Sequence, residues 1–123
     1  MNRMRVVMVE PRKQARVIWI DNTLEAMQEL VGGYIETFQL DDEVFIICNE
    51  EGKMGGFEPC RAIWYEGELI EIIFGTFFIC AAPWDSENFA SLNEDQAKQF
   101  SEQFMAAEYF IRTPNGISVI KDI

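Results

Sequence analysis

Cys48, Cys60 and Cys80 are the only thiols of the chain, and no histidine is present to deprotonate one of them. A Ser-His-Asp triad and a Cys-His dyad are therefore both impossible within it. Zinc sites of the H-E-x-x-H type, of two cysteines with two histidines, or of three histidines are excluded on the same ground. The cysteines are spaced by 12 and 20 residues with no C-x-x-C, which is neither a disulfide framework nor a zinc ribbon. Cys48 closes the run Phe45-Ile46-Ile47 and Cys80 the run Phe77-Phe78-Ile79, so both read as small buried hydrophobes. Cys60 lies between Pro59 and Arg61. A neighbouring guanidinium lowers a thiol pKa, but no base accompanies it, and the inert reading carries more weight. Catalysis would be left to carboxylates, Lys, Tyr, an unassisted thiol or a borrowed metal. No catalytic residue, metal ligand set or cofactor is expected.

The candidate binding residues are Tyr34, Glu36, Asn49, Glu50, Lys53 and Arg61. Asn49-Glu50-Glu51-Gly52-Lys53 brings an amide, carboxylates and an ammonium together, although Asn and Gly are also what a hairpin turn selects. Gly52-Lys53 is not a phosphate loop, because Ile47 stands where G-x-x-x-x-G-K needs its first glycine. Tyr34 and Glu36 share one strand face and could floor a pocket; a packed ring with its hydroxyl at the surface is the simpler account of the tyrosine. Gly55-Gly56 near Arg61 could form an anion nest. Arg61, Lys53 and the cluster Arg12/Lys13/Arg16 are the cations on which a nucleotide or similar anion would depend. Trp19, Trp64 and Trp84 could anchor a partner, though core packing is the commoner use of tryptophan in a small domain.

Charge sharpens the choice. The chain of 123 residues has 21 acidic and 10 basic side chains, a formal charge of −11. Residues 1–16 hold Arg3, Arg5, Arg12, Lys13 and Arg16 against Glu10 alone, so residues 17–123 carry a balance of −15. Such a body repels nucleic-acid phosphates, and direct DNA or RNA binding is not expected except through the N-terminal basic patch. The acids gather in Asp41-Asp42-Glu43, in Glu50-Glu51, and in Glu66, Glu68 and Glu71. Spread along one elongated face they could imitate DNA; scattered over turns they would serve solubility.

The elements that must position these groups follow from pattern. Residues 4–10 and 15–20 read as a β-hairpin. Asp21-Asn22-Thr23 offers caps for a helix with Leu24, Met27 and Val31 on one face, ended by Gly32-Gly33. Strands are predicted over residues 34–40 and 43–49, and a short one over 61–65. Two more, over 69–74 and 76–81, flank Gly75, where a bulge, bend or close approach is expected. Ser91-Leu92-Asn93-Glu94 matches a capping box, before a helix with Ala97, Phe100, Phe104 and Ala107 on one face. Thr113-Pro114-Asn115-Gly116 is a turn before a terminal strand over 117–120. With 49% hydrophobic residues, the chain is expected to fold over 1–123 as one α+β domain, two helices packed on a mainly antiparallel sheet. It shows neither a signal peptide nor a membrane-spanning run, so a soluble, cytoplasmic protein with reduced thiols is expected.

The run from Ile20 to Glu36, with its Val31-Gly32-Gly33-Tyr34-Ile35-Glu36 core, resembles an uncharacterised bacterial and phage family, domain of unknown function 3846. Asp41-Asp42, Cys48-Asn49-Glu50-Glu51-Gly52-Lys53 and Gly75-Thr76-Phe77-Phe78-Ile79 extend the resemblance over about residues 4–105. Cys60-Arg61 stands where the family pattern has Asn-Arg, so a role for the arginine is retained and one for the amide is not. The segment from about Glu108 to the end lies outside. The resemblance implies no activity; it implies an accessory protein of a phage or mobile element. The leading expectation is a non-enzymatic protein that binds and inhibits a host or defence protein through its acidic surface, with DNA mimicry as one form of this. The alternatives are a sequestering protein for a nucleotide or other small molecule, possible as a homo-oligomer, and an enzyme of unknown type.

Overall fold

The computed structural model describes residues 2–122. Strands β1 (Arg3–Val9) and β2 (Arg16–Asp21) pair as the expected hairpin. Helix α1 (Leu24–Val31) follows, then β3 (Ile35–Asp41), β4 (Val44–Asn49), β5 (Pro59–Tyr65), β6 (Glu68–Phe74) and β7 (Phe77–Ala81). Helix α2 (Glu94–Gln103) and the strands β8 (Glu108–Thr113) and β9 (Gly116–Lys121) complete the chain. Five strands form an antiparallel sheet in the order β2-β1-β7-β4-β3, while β5-β6 and β8-β9 are separate two-stranded units. The architecture is α+β with a predominance of antiparallel sheet. No helix among the described residues is long and apolar enough to cross a membrane.

The central strands are apolar at nearly every position because both faces of the sheet are covered. One set of side chains (Met4, Val6, Ile47, Phe78, Cys80) packs on Met27 and Val31 of α1. The alternate set (Val7, Val9, Ile46, Phe77, Ile79) packs on Ile63 and Ile73 of the β5-β6 hairpin and on Ala97, Phe100 and Phe104 of α2. The two helices thus lie on opposite faces. The rings of Phe77 and Phe104 meet edge to face at 5.7 Å.

Local chemistry explains the ends of the helices. Thr23 Oγ1 accepts the amide hydrogen of Ala26 at 3.1 Å, and Gly32 closes α1 in the left-handed region at φ 82°. Leu24, expected on the packed face, sits in the first turn and is 54% exposed. The start of α2 differs from expectation by two residues. Its capping box is Asn93 with Gln96, not Ser91 with Glu94. Ser91 Oγ is already used, accepting the backbone N–H of Arg5 at 2.9 Å, and Leu92 is buried, so neither is free to start the helix. Strand β8 is a further addition. The sequence pattern places nothing over residues 108–112, where apolar side chains alternate too weakly for one face to stand out.

Gly75 is where the chain leaves the hairpin for the central sheet. Its φ is +82°, and a Cβ there would lie 2.6 Å from Cδ2 of Phe57. Both the conformation and the close approach require glycine. Gly75→Ala is expected to lower unfolding stability by about 1–2 kcal/mol, read as a lower urea midpoint with an unchanged slope.

Candidate functional site

The side chain of Arg61 decides where the β5-β6 hairpin sits. It has no solvent exposure. Its Nη1 donates to the Cys60 carbonyl at 2.9 Å, and its Nε and Nη2 donate to the Phe104 carbonyl at 3.2 and 3.0 Å. Nη2 also donates to the carbonyl of Lys13. One guanidinium therefore joins β5, the end of α2 and the β1-β2 turn. Burial lowers its pKa, but an arginine in a protein stays protonated, so its charge is met by the carbonyl dipoles and, at longer range, by the carboxylate of Glu108. No carboxylate among the described residues lies within ion-pair distance of it. Glu108, also buried, accepts the amide hydrogen of Ala62 at 2.8 Å and fixes β8 beside β5. Arg61, expected to meet a ligand, is instead an interior brace. Sequence places it beside a loop; only the packed structure shows the carbonyls that surround it.

Held in this way, the hairpin leaves a groove between β6 and the end of the central sheet at β3. Two cavities, of about 260 Å³ and about 440 Å³, share Phe38. The first is walled by Glu36, Asn49, Glu50, Lys53 and Glu71, with Phe74 and Ile72 as apolar surface. The second runs past Gln39 and Asp41 to Trp64, Tyr65 and Ile70 of the hairpin. Four of the predicted binding residues thus converge on one cavity. Tyr34 does not join them; it is 73% exposed and borders a separate depression with Glu50, Glu51 and Phe57. The Asn49 amide is occupied at both ends, donating from Nδ2 to the Val31 carbonyl at 3.2 Å and accepting the Glu51 amide hydrogen at 2.7 Å. It shapes the turn that carries Glu50. Phe38 and Ile70 are groove residues that the sequence did not single out, since their alternation suggests ordinary core positions.

The other acids are dispersed. Asp42 Oδ1 accepts the indole N–H of Trp84 at 3.0 Å, and Glu43 Oε1 accepts the backbone N–H of Trp84 at 2.8 Å. Those two carboxylates hold a loop. Glu66 and Glu68 occupy the tip of the β5-β6 hairpin. Glu25 and Glu29 lie on α1, and Glu94 and Glu102 on α2, so acids face both sides of the sheet. Such a spread does not give the single elongated face that duplex mimicry requires.

The cations are mostly consumed in folding. Arg3 pairs with Asp21, Arg12 with Glu58, and both Lys13 and Arg16 with Glu10, at 3.1 to 3.7 Å. Arg5 lies 5.4 Å from the ring centre of Trp19. Among the described residues Lys53 is the single cation lining the groove, against Glu36, Glu50, Glu71 and Asp41. An anionic ligand would meet repulsion there. Nor is any thiol activated. Cys48, at the back of the first cavity, is pushed up to about 11 by burial and then by Glu36 and Glu71. Burial pushes Cys60 up to about 12, against the lowering effect of Arg61, and raises Cys80 to about 12 as well. Among the described residues no three Cys, Asp or Glu side chains group closely enough to hold a metal. What the arrangement offers is an elongated surface, acidic along its walls and apolar on its floor.

A family model described as Domain of unknown function (DUF3846) matches residues 4–105. The chain belongs to that family. The match takes in the groove, Arg61 and α2, and leaves the β8-β9 hairpin outside. No curated protein and no solved structure matches the chain.

Arg61→Ala strands several buried carbonyls and is expected to lower stability by about 3 kcal/mol or more, with Arg61→Lys recovering only part of it, in urea unfolding followed by tryptophan fluorescence. The thiols hold their protons more tightly in the folded chain than in the unfolded one, where the ordinary value is 9.0. Between that value and about 11–12 the folded state binds more protons, so stability should fall as pH rises above about 9 and a triple Cys→Ala variant should lose less stability over that range.

Proposed function

We propose that this member of the DUF3846 family is a non-enzymatic interaction protein that binds a basic surface of a protein partner in its acidic groove. The observation that carries the reading is the imbalance within the groove, where Glu36, Glu50, Glu71 and Asp41 stand against Lys53 alone among the described residues. Elsewhere among those residues the four ion pairs use just Glu10, Asp21 and Glu58 of the 21 acids. Unpaired carboxylates flanking apolar surface favour a cationic partner, because approach is steered by charge and the apolar floor retains what arrives. We further propose a phage or mobile-element setting, as the family resemblance implies, and with it a host or defence protein as the partner, inhibited by occupation of its basic surface.

Other readings lose support on specific grounds. A nucleotide-sequestering role needs cations, but Arg61 is interior and Arg12, Lys13 and Arg16 are in ion pairs. An enzymatic role needs an activated group, and the three thiols are all shifted away from ionisation.

The test is a pull-down on the immobilised protein at two salt concentrations, with affinities then measured for the partner identified. Binding to a protein with a basic surface, weakening about tenfold or more between roughly 50 and 300 mM salt, is the expected result. Salt-independent binding, or a nucleotide-sized mass retained in native mass spectrometry of the gently purified protein, would contradict the reading.

A further inference from the structure

The two edges of the central sheet differ. β2 and β3 are its end strands. In β3, the amide of Glu50 donates to the Tyr34 carbonyl at 2.8 Å, and the register runs on through Glu36↔Cys48 and Phe38↔Ile46. In an antiparallel ladder, hydrogen-bonded pairs alternate with non-bonded ones. Tyr34, Glu36 and Phe38 therefore turn their backbone groups toward β4, and Ile35, Thr37 and Gln39 turn theirs outward. The thiol of Cys48, 3.7 Å from the Glu36 carbonyl, agrees with that assignment. No other group among the described residues bonds to the outward N–H or C=O of these three residues. On the opposite edge, the outward carbonyl of Trp19 is covered by the guanidinium of Arg3 at 2.9 Å. One edge is partly covered by a cation at Trp19; the other carries no such cover at Ile35, Thr37 or Gln39 among the described residues.

The open edge is also the lip of the groove. Thr37 borders the first cavity and Gln39 the second, with Phe38 between them. Opposite stands β6, with Glu71 and Ile70. The regular part of β3, from Ile35 to Gln39 before the bulge that precedes Asp41, gives a template of about 17 Å.

We propose that the partner contributes an extended segment with basic side chains at alternate positions, which pairs with the free edge of β3 and lays those side chains along the acidic groove. This rests on the reading of the chain as a binder of basic protein surfaces and adds the mode of binding. The main chain of the segment would bond to Thr37 and Gln39, as in strand addition to an exposed sheet edge. Lys or Arg stems would cover Phe38 and Ile70, with their heads at Glu36, Glu71 and Asp41. The charge of the groove selects this occupant. A second copy of this chain is disfavoured, because its own β3 edge is equally acidic.

The experiment is fluorescence anisotropy with a labelled peptide of alternating lysine and valine, about eight residues long. The comparison peptides carry glutamate for lysine, or the same sequence N-methylated at alternate residues. The lysine peptide is expected to bind and the glutamate peptide not to. The Glu36→Gln/Glu71→Gln variant, checked for an unchanged melting temperature, is expected to bind about tenfold more weakly. N-methylation in the register that faces β3 should weaken binding by about tenfold or more, and in the other register much less. Absence of lysine-peptide binding overturns the proposal, as does equal binding of both methylated registers. If it fails in this way while a whole partner still binds in a salt-dependent manner, the broader reading stands and the strand-addition mode falls. If no salt-dependent partner is found, the broader reading falls with it.

Discussion

A single buried cation organises this molecule. Arg61 takes a charge into the interior of an α+β domain and surrounds it with the carbonyls of Lys13, Cys60 and Phe104, with the buried carboxylate of Glu108 acting from beyond ion-pair distance. A guanidinium suits that task because its planar fork reaches several acceptors at once and its hydration is weak. The three carbonyls come from separate parts of the chain, so the brace forms only when the β1-β2 turn, the hairpin and the end of α2 are all in place. Removing it would leave the hairpin attached through Gly75, its apolar contacts with the sheet, the bond from Ala62 to Glu108 and the surface pair of Arg12 with Glu58.

Apart from Arg61, the cations that hold elements together lie at the surface, with side chains 58–67% exposed in the four ion pairs. Most arginines are engaged in holding elements together, by burial, by ion pairs or by the contact of Arg5 with Trp19. The acids have no equivalent employment, apart from a few such as Glu108 and Asp42. The buried charges of Arg61 and Glu108 cancel, so the exterior carries the whole formal charge of −11. At the groove this excess lies next to apolar surface and an unpaired strand edge. These three features together, more than the acidity alone, are the grounds on which a binding surface is proposed there.

Much of the fold was legible because its signals are local. Thr23 and Gly32 bracket α1 by their own backbone preferences, and the apolar runs around Gly75 have the length and composition of strands. The continuous hydrophobicity of β1, β4 and β7 accompanies the burial of both their faces. Three features were not legible. Ser91 looked like a cap because its hydrogen bond to Arg5 spans most of the chain. Arg61 looked like a surface cation because nothing near it in sequence reveals the carbonyls it meets. Glu36 and Glu71 face one cavity only after β6 folds back over the sheet, a long-range event that no short pattern encodes. Asn49, Glu50 and Lys53 were identifiable as a group because a single turn carries all three.

The most direct test of the groove as the binding surface is an amide chemical-shift titration of the isotopically labelled protein with the alternating lysine–valine peptide. Shifts are expected to concentrate at Thr37, Gln39 and Glu71, with weaker ones around Glu50 and Lys53 and none along α1. Shifts confined to α1 or to the β8-β9 hairpin would contradict binding in the groove.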